Sequence, residues 1–308
     1  MRFGEYLKIC RESLSLTQEE MVADLYIFDT DIFSNLDITT LSRWERGVTS
    51  PSHTKQISVI KFFQNRLHLP LPCIPSESEE KIEKYICKSF IEDVFSKNSK
   101  LVLEFPSRMI SYDDLEIHQL RQSKNIDSIL DFHAELDRGF HYRFEEIGHT
   151  KMKEWAMHPS NRFFICLYKG QLFGLLFSLS LKRDIFEKII RFEMDEKDIV
   201  VENFARETQK RSNYVLSFFS MNDKAASALF IRYYAHLLAY QKVLEATGTT
   251  AIMDEAKKLL EKVELDQCCS REYKQGLIQS SYVKNIFEFV ASKPFVKLIF
   301  QKEECKEA

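Results

Sequence analysis

Leu16-Thr17-Gln18-Glu19-Glu20-Met21-Val22-Ala23 decides how the first seventy residues fold. Thr17 places a short hydroxyl side chain directly before a helix-forming run, where it can satisfy N–H groups that a helix leaves unpaired at its start. Glu20 stands three residues on, and its carboxylate can reach back to the Thr17 N–H, which makes a capping box. Leu16 and Met21 flank the cap and can close over it as a hydrophobic staple. A helix is therefore expected to begin at about Thr17, and Ala23 gives it a small residue for close packing.

Upstream, Phe3, Tyr6, Leu7 and Cys10 recur at helical spacing and predict a first helix. Downstream, Ile38-Thr39-Thr40-Leu41-Ser42-Arg43-Trp44-Glu45-Arg46-Gly47 reads as a helix capped by Asp37 and stopped at Gly47. Leu41 and Trp44 share its core side, which leaves Thr39, Thr40, Ser42, Arg43 and Arg46 largely outward. Hydroxyls and guanidinium groups at a helix start suit base edges and phosphates. Ser50-Pro51-Ser52 opens a further helix, with Ile57, Ile60 and Phe63 inward.

Taken together, Leu16–Glu20, Leu41–Gly47 and Ser50-Pro51 resemble the lambda-repressor-like (XRE-type) helix-turn-helix family. The resemblance implies a third helix that enters the major groove. It puts base reading on Ile38, Thr39 and Thr40 and backbone contacts on Gln18, Ser42 and Arg43, with Arg46 a further DNA-binding candidate. The stretch from Met21 to Leu41 is longer than the family norm and is filled by Tyr26–Asn35. That insertion must extend the second helix or bulge beside the third. It acts as a DNA contact, a dimer contact or a brake, and Asp24, Asp29 and Asp31 bring negative charge to it. A helix-turn-helix that only binds protein is the competing reading.

The chain has 308 residues, about two domains' worth. Hydrophobic residues make up 44%, charged residues 29%, and there are 25 Phe and 12 Tyr, enough for a large aromatic core. The formal charge is −3, and residues 1–69 hold eight basic and nine acidic side chains. This excludes the strongly basic footprint of a non-specific nucleic-acid coat. Seven cysteines without a CxxC pair argue against a metal site or a disulfide framework and fit a reducing cytosol. The N-terminus lacks an apolar signal core and no segment reaches the ~18 apolar residues of a membrane span, so a cytoplasmic protein without membrane contact is expected.

Leu69-Pro70-Leu71-Pro72-Cys73-Ile74-Pro75 interrupts regular structure. It sets an expected division into a helix-turn-helix domain (1–69), a linker and connecting helix (70–100) and a larger domain (101–308). The connecting helix is read over Glu79–Ser96, with Ile82, Ile86, Phe90 and Val94 on one stripe. Beyond it the pattern alternates: a strand at Leu101–Phe105, helices at Asp127–Phe140 and His149–His158, then two apolar runs around Lys169-Gly170-Gln171 that read as a hairpin. A strand at Val215–Phe219, a long helix over Lys224–Lys242, a strand at Ala246–Ala251, a helix at Asp254–Val263 and a terminal strand at Val296–Gln301 complete the series.

This order resembles the Gcn5-related acetyltransferase fold, and Phe163–Phe177 is similar to that family's central hairpin. The expected fold class is thus multidomain: an all-α helix-turn-helix domain followed by an α/β (α+β) acetyltransferase-like domain. The resemblance implies acyl-CoA held by N–H groups of a glycine-rich loop that opens the long helix. Here that loop is Ser220-Met221-Asn222-Asp223-Lys224-Ala225-Ala226-Ser227, with no glycine and with Asp223 where the pyrophosphate would lie. Asn222 and Ala225 are left as N–H donors, and the degenerate loop argues against a working enzyme. Tyr233, Tyr234, His236 and Tyr240 are candidate polar handles of an apolar ligand pocket, against the alternative of a plain aromatic core. His133, His141, His149 and His158 lack a metal-binding order and read as isolated side chains.

The expected function is a sequence-specific, homodimeric DNA-binding transcription regulator. Its partner is double-stranded DNA, and its larger domain senses a small-molecule effector or dimerises. No cofactor is required, and acyl-CoA or another small molecule is the candidate ligand. The alternatives are an N-acetyltransferase fused to a DNA-binding domain, and a regulator whose large domain binds a protein.

Overall fold

A computed structural model describes residues 1–74, 78–86, 95, 110–139, 147–273 and 276–300. By packing, the chain forms two compact units. One takes Met1–Ile91, Tyr234–Lys242 and the chain from Ile286 onward; the other takes Glu92–Tyr233 and Val243–Asn285. The C-terminal segment therefore packs with the N-terminal helices, a division that differs from a single domain over 101–308.

The helical unit begins with α1 (Phe3–Ser13), α2 (Gln18–Phe28), α3 (Thr30–Phe33), α4 (Ile38–Glu45) and α5 (His53–Leu67). The capping box at Thr17 forms as its spacing predicts: Thr17 Oγ1 accepts from the Glu20 N–H at 3.2 Å, and the Thr17 N–H donates to Glu20 at 2.7 Å. Phe3, Tyr6, Leu7 and Cys10 of α1 are buried, as their periodicity requires. Gly4 lets α1 meet the end of α4, because a Cβ there would lie 2.0 Å from the Trp44 carbonyl oxygen. The Tyr26–Asn35 insertion supplies the last turn of α2, then a junction at Asp29 whose side chain caps the single turn of α3 at Ile32.

After α5 the chain runs through Pro70 and Pro72 into α6 (Glu79–Ile82) and a 3₁₀ turn at Glu83–Tyr85. Ile82 and Ile86 are buried, whereas Phe90, Val94 and the strand read at Leu101–Phe105 lie outside the described residues. Gln64 holds the exit from α5, donating to the Pro70 and Phe287 carbonyls at 2.7 and 2.8 Å. The unit closes with α12 (Ile286–Val290) and α13 (Lys293–Phe300). The terminal strand expected at Val296–Gln301 is thus corrected to a helix over its described part. Ser292 caps it by accepting from the Phe295 N–H at 3.4 Å, and its apolar side chains find a helical core. Phe300 packs on Phe3 and Tyr6 with ring centroids 5.1 and 5.0 Å apart. A short apolar run has no periodicity of its own that separates strand from helix.

The α/β unit is built on seven strands: β1 (Leu115–Gln119), β2 (Arg162–Tyr168), β3 (Gln171–Leu181), β4 (Arg211–Ser220), β5 (Leu244–Ala251), β6 (Asp266–Glu272) and β7 (Ile278–Asn285). Their order in the sheet is β1-β2-β3-β4-β5-β7-β6. Every neighbouring pair is antiparallel except β4 and β5, which are parallel. A parallel pair needs a crossover, supplied by α10 (Asp223–Ala239). The remaining helices are α7 (Ile126–Gly139), α8 (His149–Met157), α9 (Arg183–Ile190) and α11 (Asp254–Lys262). Strand β1, α9 and the β6–β7 ribbon are additions to the elements read in the sequence.

The β2–β3 hairpin turns on Lys169 and Gly170, with φ of 50° and 76° between paired Tyr168 and Gln171. Two consecutive left-handed residues match the strand twist. Central strand β3 is buried from Phe173 to Leu181, as a strand covered on both faces should be. Gly248 of β5 admits the α9 side chains, since a Cβ there would stand 2.9 Å from Phe186 and 2.7 Å from the Tyr282 carbonyl oxygen. In chain order the unit runs β1, α7, α8, the β2–β3 hairpin, α9, β4, α10, β5 and α11 before the β6–β7 ribbon.

Candidate functional site

In the α/β unit the site-forming event lies between the two parallel strands. β4 and β5 pair only from Arg211↔Leu244 to Val215↔Thr249. Beyond that point β4 runs on to Ser220 paired to β3 alone, while Thr250 and Ala251 of β5 stay with β7. The register of β4 against β3 shifts between Val215 and Ser217, a bulge at Leu216 that bends the strand where the partners separate. Thr249 Oγ1 donates to the Val215 carbonyl at 2.8 Å and marks the parting. Among the described pairings, β4 from Leu216 to Ser220 presents its second edge to no strand. An extended molecule carrying amides can dock on such an edge by backbone hydrogen bonds.

Polar side chains gather beside this edge. Ser217, half-buried on β4, has its Oγ 2.9 Å from Nε2 of His133, which α7 buries against the Phe177 ring. Asp137, one helical turn further along α7, lies 3.5 Å from His133 Nδ1. Burial pushes the imidazole down to about 4, so His133 is neutral near pH 7. At the head of the parting, Tyr214 hydrogen bonds to Glu196 and, at 3.0 Å, to Thr250 Oγ1, which also receives Gln279 Nε2 at 3.2 Å.

The residues read in the sequence as ligand groups fall elsewhere. Asn222 caps α10, its Oδ1 accepting from the Ala225 N–H at 2.8 Å, and both residues are buried. The Lys224 N–H is held by Asp223 Oδ1 at 2.9 Å. Two of the first N–H groups of α10, those of Lys224 and Ala225, are thus held by the Asp223 and Asn222 side chains. Tyr233 ties α10 to the sheet through Asn213 and Thr247 at 2.8 and 2.7 Å. In the helical unit, Tyr234 stacks on Phe289, with centroids 5.6 Å apart, and burial raises its phenol. His236 meets Glu79 at 3.0 Å and lies against Tyr240, with ring centroids 4.9 Å apart. Tyr234, His236 and Tyr240 thus have aromatic neighbours within the helical unit, and Tyr233 has polar ones within the α/β unit.

The helical unit carries the second candidate surface. Asp37 caps α4 by accepting from the Thr40 N–H at 2.6 Å, which holds its carboxyl below the usual range. Ile38, Thr39, Arg43 and Arg46 are exposed, Thr40 and Ser42 half-buried, and Leu41, Trp44 and Glu45 buried. Gln18 turns inward: its amide donates to Glu45 Oε2 at 2.8 Å, beside an Arg11 guanidinium that grips both Glu45 oxygens at 2.6 and 3.1 Å. Beside the start of α4 opens a cleft of about 660 Å³, lined in part by Val22, Tyr26, Ile27, Leu36 and Ile38.

Sequence reasoning set His133 aside as an isolated side chain, whereas it is buried and bonded to Ser217, and it missed Ser217, Glu196, Tyr214 and Thr250. His133 and Ser217 are 84 residues apart, and only the pairing register of β4 decides which face Ser217 takes. Among the described residues, no group of three or more His, Cys, Asp or Glu is placed to hold a metal ion, and no helix is long and apolar enough to cross a membrane.

No protein-family model matches the chain, and no curated protein matches it. Solved structures do. FeeM, an N-acyl amino acid synthase from uncultured soil microbes, aligns at 12% identity and a TM-score of 0.40, over 57% of this chain and 91% of its own. An N-acetyltransferase from Staphylococcus aureus Mu50 aligns at 10% and 0.35, over 56% and 97%. A mutant agmatine N-acetyltransferase in its apo form aligns at 10% and 0.37, over 56% and 100%. The likeness at these scores is coarse, and the strand order and the parting of β4 from β5 define the fold independently of it.

Proposed function

We propose that the α/β unit is an acyltransferase-type domain that binds an acyl thioester along β4 beyond Val215. The observation that carries this reading is the parting of β4 from β5 at Val215 and Thr249, with Ser217 and neutral His133 beside it. The amides of a pantetheine arm are of the right chemistry to pair with the strand edge that no described strand covers. Ser217 Oγ, held by His133, is the polar group beside that edge suited to orient an incoming acceptor. Because the start of α10 is capped by Asn222 and Asp223, a nucleotide diphosphate gains little there. Calorimetric titration of the full chain with acetyl-CoA and with S-acetyl-pantetheine tests this. Saturable binding of both is expected, within about tenfold of each other, or about 1.4 kcal/mol. No saturable heat from either at millimolar concentration removes the reading; far tighter binding of acetyl-CoA alone overturns the capped-helix argument.

A second reading concerns the helical unit and is compatible with the first. The exposed set Ile38, Thr39, Arg43 and Arg46 at the start and outer side of α4 favours a DNA-binding role, with the whole chain a regulator that binds operator DNA as a homodimer. Gln18, tied to Glu45, serves there by fixing α2 on α4. Arg43→Ala and Thr40→Ala are expected to weaken binding to the gene's own upstream DNA in a mobility-shift assay without altering the circular-dichroism spectrum. Unchanged affinity in both variants contradicts that role.

A further inference from the structure

The edge strand β6 carries Cys268 and Cys269 side by side. On a regular strand successive side chains alternate between faces, so adjacent cysteines would point apart. Strand β6 is not regular there. Gln267 pairs with Tyr282 and Ser270 with Ser280, so Cys268 and Cys269 together stand opposite Ser281 alone, the two-against-one count of a β-bulge. The two sulfurs lie 3.6 Å apart across this bulge. Cys268 is exposed and Cys269 half-buried, whereas Cys10 and Cys166 are buried.

Serines hold the bulge in place. The Cys269 N–H donates to Ser281 Oγ at 3.1 Å, and the same hydroxyl donates to the Cys269 carbonyl at 3.4 Å. Ser281 thus satisfies backbone groups that the extra residue takes out of the ladder. Ser270 Oγ lies 2.9 Å from Ser280 Oγ and accepts from Gln267 Nε2 at 2.9 Å. The dithiol is therefore set by its own strand pair, and a ligand that bonds both sulfurs needs little further ordering. Among the described residues, no group of three or more His, Cys, Asp or Glu is placed to hold a metal ion. The pair instead suits a thiophilic centre that takes two sulfurs and brings its own third substituent.

We propose that Cys268 and Cys269 form a capture site for trivalent arsenicals, bound through both sulfurs. With an organic arsenous acid, two As–S bonds form, the two As–OH bonds break, and each hydroxyl leaves with one thiol proton as water. No atom changes oxidation state, so no oxidant or reductant enters. The carbon substituent stays on arsenic as its third ligand. Soft sulfur ligands select soft centres over hard ones, which separates this site from one for magnesium or calcium. Strands β7 and β5 stand between β6 and β4, so the captured group lies apart from the parted edge of β4.

The test adds phenylarsine oxide to the full chain, reduced with a phosphine and freed of it, and follows the intact mass and the mapped peptides. A single phenylarsenic group per chain is expected, on the peptide that holds Cys268 and Cys269, with a water lost as it forms. The adduct is expected to survive excess mercaptoethanol and to leave with dimercaptopropanol, since only a second dithiol matches a two-point attachment. Cys268→Ser and Cys269→Ser are each expected to weaken capture about a hundredfold, as a chelate becomes a single bond, whereas Cys73→Ser leaves it unchanged. If either variant at the bulge fails to fold, the location and the monothiol resistance of the adduct on the unaltered chain still decide. An adduct that mercaptoethanol strips, one seated on other cysteines, or full capture by either single variant overturns the proposal.

Discussion

Glu45 shows what one side chain settles in the helical unit. Its carboxylate is nearly enclosed, and Arg11 from α1 and Gln18 from α2 both donate to it, so three helices share one acceptor. Removing one partner of such a pair strands the other, at about 3–5 kcal/mol, whereas an apolar replacement of both costs far less. Glu45→Leu and Arg11→Met are each expected to lower stability by a few kcal/mol in denaturant unfolding, and the double variant by less than their sum; strict additivity contradicts the linkage. His133 makes a second prediction at this scale. Its folded pKa lies near 4 and its ordinary value near 6.5. Between these values the unfolded chain binds a proton that the folded chain refuses, so stability rises with pH across the window and is lost on acidification. The loss approaches about 3 kcal/mol at pH 4. His133→Gln is expected to flatten this portion of the stability–pH curve, and an unchanged slope would remove His133 as its cause.

At the level of elements, local signals are strong where a cap fixes a helix and weak where only a face distinguishes strand from helix. Thr17 and Glu20 announced α2 because the two hydrogen bonds that start it are made by neighbours in sequence. Asp37 and Gly47 likewise bracketed α4, and Lys169-Gly170 fixed the hairpin. Thr17→Ala is expected to cost about 1 kcal/mol, read in the same unfolding assay. Gly4 was silent in the sequence, since nothing local says that α1 meets the Trp44 carbonyl; Gly4→Ala is expected to cost about 1–3 kcal/mol by overpacking. A cost near zero would mean that α1 shifts freely on α4. The β6–β7 ribbon was missed for a different reason: Asp266–Glu272 carries polar side chains throughout, and an edge strand exposed along most of its length lacks the alternation by which strands are read.

Over the whole molecule, what could not be read is what long-range contact decides. The chain order of strands and helices suggested the α/β unit, and the register then parted β4 from β5 and set Ser217 against His133. The aromatic residues of α10 meet partners far away in sequence: Tyr233 bonds Asn213 and Thr247, and Tyr234 stacks on Phe289. The C-terminal helices joined the N-terminal unit because Phe295, Val296 and Phe300 needed a core that lies far back in sequence. The measurement that bears most directly on function is amide hydrogen exchange of the full chain with and without saturating S-acetyl-pantetheine. An acyl thioester seated on the parted strand slows exchange at Leu216–Ser220, where β4 has no second strand among the described residues, and leaves Arg211–Val215, already paired to β5, unchanged. Ligand binding with no protection across Leu216–Ser220, or no binding at all, contradicts the assignment of that edge as the acyl-donor site.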